Sequence, residues 1–123
     1  DMKEDSSDFK ESELSVVLKF FDHLIALDHT KRVEYYYFRA ETYYSVRQWK
    51  NAAPSYVEAI LEAKRIKDEK IGRKAFDSLL ALTGMEVLPK EENKKFLIFA
   101  YSEHLAFWPR DERSEQIYPK LFE

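Results

Sequence analysis

An all-α fold of about five or six helices is what the sequence predicts, on three observations. Apolar residues recur at spacings of three and four over long stretches, the period of a helix face. Two glycines and four prolines are few for a β domain, which must turn about every 8 to 12 residues. One segment repeats at the interval of stacked helical pairs.

Each predicted element has its own signal. Residues 1–10 are polar apart from Met2 and Phe9 and read as a mobile arm. Ser12 can cap a first helix in 11–29, with Val16, Val17, Phe20, Phe21, Leu24, Ile25 and Leu27 on its apolar side and Asp28, His29 and Thr30 at its end. A second helix runs from about Val33 to Val46, and a third from about Gln48 to Ile66, around a polar turn at Arg47 and Gln48. So tight a connection makes an antiparallel hairpin. Pro54 implies either a start near Asn51 or a kink. A fourth helix covers about Glu69 to Leu82 and stops at Gly84, a natural left-handed position. After Pro89 a fifth runs from about Glu91 to Phe107, closed by Trp108 and Pro109. Asp111 can cap a terminal helix in 111–123, interrupted by Pro119.

Composition bounds the function. The 123 residues suit a single domain, 1–123, able to bury about two thirds of its extended-chain surface. With 45% hydrophobic and 35% charged residues it is well clear of disorder-prone composition. A net charge of −3 with both signs interspersed argues against nucleic acid, which needs a concentrated basic field. The absence of cysteine excludes disulfides and thiolate metal sites, and suits cytoplasm and periplasm equally. The longest strongly apolar run, Phe96 to Tyr101, is far short of the roughly 20 residues that span a bilayer, and no signal-peptide pattern opens the chain, so membrane insertion is not expected.

The repetition centres on Tyr36, Ala40, Tyr43, Trp49, Ala52, Tyr56 and Ala59. Small residues at Ala40, Ala52 and Ala59 let two helix backbones approach, while Tyr43, Trp49 and Tyr56 fill the remaining space. A shift of 35 residues sets Ile71 on Tyr36 and Ala75 on Ala40. Leu97, Tyr101 and His104 then match the spacing of Ala52, Tyr56 and Ala59. This pattern resembles the tetratricopeptide repeat family, with one clear repeat at 33–66 and a degenerate one at 68–109 that has Ser78 in place of an aromatic. Its second unit requires either a long connector from Thr83 to Asn93 or longer helices.

The resemblance implies hairpins stacked as a short right-handed superhelix, whose concave face holds a peptide or partner helix of another protein. By the same resemblance Glu34, Tyr37, Glu41, Tyr44 and Ser45 line that face, continued by Glu69, Gly72, Arg73 and Phe76. With Arg73 the one cation among them, no clamp for a terminal carboxylate is expected, and a basic or aromatic-accepting partner suits the face better. An equally weighted reading has Tyr37 and Tyr44 simply packing against a neighbouring helix.

Catalytic chemistry is not expected. His23, His29 and His104 fall on different elements without a metal-binding pair, and the sequence has no cysteine nucleophile, phosphate loop or GxSxG elbow. No cofactor is implied. Glu91 and Glu92 suit a solvated helix start. Lys64, Arg65, Lys67, Lys70, Arg73 and Lys74 are interrupted by Asp68 and Glu69 and read as a solvated helix junction. Two further readings are a self-association module using the end helices, or an excised part of a longer solenoid. In either, the first helix and Ile117, Tyr118, Leu121 and Phe122 carry apolar surface that a neighbour covers.

Overall fold

The computed structural model describes residues 11–107, and these form five α-helices with no strand among them. They are α1 (Glu11–Leu27), α2 (Arg32–Ser45), α3 (Trp49–Ile66), α4 (Glu69–Gly84) and α5 (Lys90–Phe107), with a 3-10 turn, His29–Lys31, between α1 and α2. The expected arm at 1–10, the Trp108–Pro109 closure and the terminal helix at 111–123 lie outside the described residues.

Each helix packs mainly on the next in sequence, while α2 also touches α4 and α3 touches α5. Contacts between helices two apart set the α2–α3 and α4–α5 hairpins side by side. The core between them contains Ala40, Ala52, Ala53, Tyr56, Ala59, Ile60, Ala75, Phe76, Leu79, Leu82 and Ala100, all buried. Fully burying Ile60, Phe76, Leu79 or Leu82 stabilises the fold by about 1.5–3 kcal/mol each. The alanines act differently, by removing side-chain bulk where backbones meet. Tyr36, Tyr43, Trp49 and Tyr101 pack partly buried around that core.

Local chemistry explains the boundaries. Asp28 follows α1 and accepts from the Thr30 backbone N–H at 3.2 Å and its hydroxyl at 2.6 Å, capping the 3-10 turn. Two turns share one device. Arg47 and Lys67 both adopt φ 62°, and the next residue's N–H returns to the helix, Gln48 to Tyr43 and Asp68 to Ala63, at 2.9 Å each. This satisfies helix carbonyls that the chain reversal would otherwise orphan. Asp68 then caps α4, its Oδ1 accepting from the Ile71 N–H at 3.1 Å.

Several expectations need correction. Ser12 lies inside α1, one residue after its first, so it is not the cap. Pro54 neither waits for a later start nor falls in the first turn, since α3 begins at Trp49. The Lys50 carbonyl that loses its donor is on an exposed residue, where water can replace it. Gly84 is the last residue of α4 rather than a left-handed stop, and Glu86 takes the positive φ of 56°. The connector is therefore confined to 85–89, and most of the extra length is shared between the end of α4 and the start of α5. Leu97 is half-exposed rather than a small-residue equivalent, and Ala100 takes the buried place on α5. The helix phase differs because α5 docks through Ala100 and His104, four residues apart.

Three contacts fix α5. Asn93 Nδ2 donates to the Thr83 carbonyl at 3.1 Å, Lys64 pairs with Glu103 at 3.2 Å, and the His104 ring lies 4.6 Å from that of Phe76.

Candidate interaction face

Glu34, Phe38, Glu41 and Ser45 follow one another at helical spacing and form a ridge along α2. Phe38 is 47% exposed, a large apolar ring facing water beside two acids. Tyr37 and Tyr44 lie one step around the helix and are half-buried. The Tyr37 ring is 5.8 Å from Phe38 and 6.2 Å from Tyr56, and Tyr44 meets Trp49 edge-on at 5.2 Å and Tyr56 at 6.4 Å. The Tyr44 hydroxyl donates to Met85 Sδ at 3.8 Å, joining α2 to the segment after α4.

Beneath these rings is a polar network. Glu41 Oε2 accepts from the buried Tyr56 hydroxyl at 2.6 Å and from the Ser78 hydroxyl at 3.3 Å, so one carboxylate joins α2, α3 and α4. Burial pushes the Tyr56 phenol well above its usual range, and acceptance by Glu41 adds to the shift. Tyr37 is raised for the same reasons, burial first and then Glu41, with Asp77 contributing negative charge. Both phenols stay neutral donors beside the carboxylate.

The sequence-predicted residues divide accordingly. Tyr37 and Glu41 come together with Ser78, while Tyr44 joins the same aromatic group. Both tyrosines pack against neighbouring helices, and Glu41 is held by internal bonds. Glu34 is half-buried on the ridge, and exposed Ser45 donates to its own helix at the Thr42 carbonyl. On α4, Glu69 is exposed and Arg73 half-buried. Gly72 and Phe76 require correction: both are buried, and Phe76 packs inward because its side of α4 faces the core that α5 closes.

Ser78 and Met85 were missed as members of this face. Phe38 belongs to an aromatic run, Tyr35, Tyr36, Tyr37, Phe38, Tyr43 and Tyr44, that is too large for one helix to bury completely, so that some of its rings must meet solvent or a partner. Phe38 is the ring of that run that does so most. A cleft of about 480 Å³ also escaped notice, lined by Glu86, Leu88, Lys90, Asn93, Lys94 and Leu97. The basic run at the α3–α4 junction is laced with acids, Lys64 to Glu103 and Arg65 to Glu62. The Arg65 contact holds the Glu62 carboxyl below its usual range. Among the described residues no group of His, Asp or Glu is arranged to hold a metal ion, and no helix is long and apolar enough to cross a membrane.

No protein-family model, curated protein or solved structure matches this chain.

Proposed function

We propose that the chain is a non-catalytic, tetratricopeptide-like interaction module that holds a peptide or partner helix of another protein along the α2 ridge. The observation that carries this reading is the exposed Phe38 ring beside Tyr37, between Glu34 and Glu41 on a rigid helix. Aromatic rings with little side-chain entropy to lose are effective contact residues, and acids bordering them favour a basic partner. A lysine or arginine of that partner would lie over Phe38 and pair with Glu34. Support for the repeat itself comes from the buried alanine series and from the contacts between helices two apart.

Affinity capture from a native lysate with the wild-type chain and the Phe38→Ala, Glu34→Ala double variant tests the reading. Both side chains lie outside the buried core, so helicity should be retained while capture of a specific partner is lost. Capture unchanged by the double variant would move the interface elsewhere.

A further inference from the structure

The α2–α3 turn and the connector after α4 face each other at one end of the helices. A cleft of about 390 Å³ lies between them, lined by Arg47, Gln48, Trp49, Lys50, Asn51 and Val87. Its walls are fixed. The Tyr44 ring meets Trp49 edge-on at 5.2 Å, and its hydroxyl donates to Met85 Sδ at 3.8 Å, which ties the connector to α2. The Gln48 N–H returns to the Tyr43 carbonyl at 2.9 Å, and Asn51 Nδ2 donates to Gln48 Oε1 at 2.8 Å.

Those bonds engage the uncharged polar groups and leave two kinds of surface uncovered. Trp49 is half-buried and Val87 is 40% exposed, so the cleft offers apolar area to water. Arg47 and Lys50 are exposed, and among the described residues neither forms an ion pair. Among the described residues no acid lines the cleft, since Glu86 lines the separate cleft on the α5 side. A complementary occupant brings a large apolar side chain with acids close to it.

The chain has such a segment within reach. Residues 1–10 contain four acids against two lysines, and Phe9 is their one ring. They lead into α1, where Leu14 and Ser15 share a shallow pocket with Gln48 and Asn51, two residues that also line the cleft. The start of α1 therefore lies beside it. Phe9 precedes Glu11 by two residues and Asp5 by six, spans of up to about 7 and 20 Å for an extended chain. So short a tether holds the segment at an effective concentration of about millimolar, an advantage that a separate partner lacks.

We propose that residues 5–9 cover this cleft, with the Phe9 ring between Trp49 and Val87 and the Asp5 and Asp8 carboxylates beside Arg47 and Lys50. An acidic, apolar peptide of another protein enters the cleft only by displacing this segment.

Acrylamide quenching of Trp49 fluorescence tests this, in the full chain carrying Trp108→Phe so that Trp49 is its one tryptophan. Phe9→Ser should raise the quenching constant several-fold with helicity retained. Arg47→Glu together with Lys50→Glu should do the same. Adding Asp5→Lys and Asp8→Lys to that charge-reversed chain should return the constant to its starting level, which a contact between the two groups requires. Quenching unchanged by Phe9→Ser, or no recovery on swapping the charges, would overturn the proposal. So would a loss of helicity in Phe9→Ser, which would assign its ring to the helical bundle. An added acidic, apolar peptide that shields Trp49 equally well with and without Phe9→Ser would overturn it too, because a segment in place must compete.

Discussion

The buried Tyr56 hydroxyl donates to Glu41 at 2.6 Å, so the central aromatic of α3 is held by an acid on α2. The bond joins the hairpin where small residues have brought its backbones together, and Ser78 extends it to α4 at 3.3 Å. Tyr56→Phe keeps the ring and removes the donor to a partly buried carboxylate. It should cost about 1–3 kcal/mol, measured by urea denaturation. A neutral result would mean that water replaces the hydroxyl at no cost.

The same pair sets an alkaline limit. Tyr56 is raised from an ordinary value of 10.0, first by burial and then by Glu41. A phenol whose folded-state pKa is raised contributes stability that is fully present below its unfolded value and is lost as pH rises past it toward the folded value. The wild-type thermal midpoint should therefore fall as pH climbs above about 10. Tyr56→Phe should flatten that fall without abolishing it, because Tyr37 is raised as well. Identical slopes for the two proteins would remove Tyr56 as the titrating group.

Ala52 is fully buried at the α2–α3 contact with Ala40 and Ala59. Ala52→Leu inserts bulk where backbones are closest and should lower stability by about 1–3 kcal/mol. A thermal midpoint equal to that of the wild type would show that the contact has room to spare.

Phe76 tests the division between face and core. Fully buried against the His104 ring, it should cost about 3–5 kcal/mol when replaced by Ala, the penalty for emptying an aromatic's place in a core. Phe38→Ala should cost little by the same measurement. If the two variants were equally stable, Phe76 would have to be returned to the surface.

These residues also show how far the sequence could be read. The α2–α3 hairpin was legible because alanines and aromatics alternate at helical spacing on both arms and a short polar turn separates them. Phe76 was misplaced because spacing alone does not say which side of α4 a later helix covers, and α5 docks through Ala100 and His104 rather than Leu97. Tyr37 and Glu41, one helical turn apart on α2, do lie together, yet the bonds of Glu41 to Tyr56 and Ser78 depend on three helices meeting, which no local pattern encodes. The excess of apolar residues on α1 was visible. That Val16, Phe20 and Leu27 are its exposed members becomes clear only once Leu14 is seen to point inward.

The turns after α2 and α3 carry the last prediction. Arg47 and Lys67 sit at φ 62°, a left-handed conformation in which a Cβ crowds the following carbonyl oxygen. No glycine stands at either position, and this hid the turns' geometry from sequence inspection. The left-handed conformation costs an L residue about 1 kcal/mol, and the returning Gln48 and Asp68 N–H bonds hold it in place. Glycine removes the steric cost but loses more backbone entropy on folding, which offsets part of the gain. Arg47→Gly and Lys67→Gly should each raise stability by roughly 0.5 kcal/mol, while Lys67→Val, β-branched and poorly tolerated at positive φ, should lower it by about 1 kcal/mol or more. Chemical denaturation of the three variants reads the order directly. A Lys67→Val chain as stable as Lys67→Gly would mean that the turn does not hold the left-handed conformation.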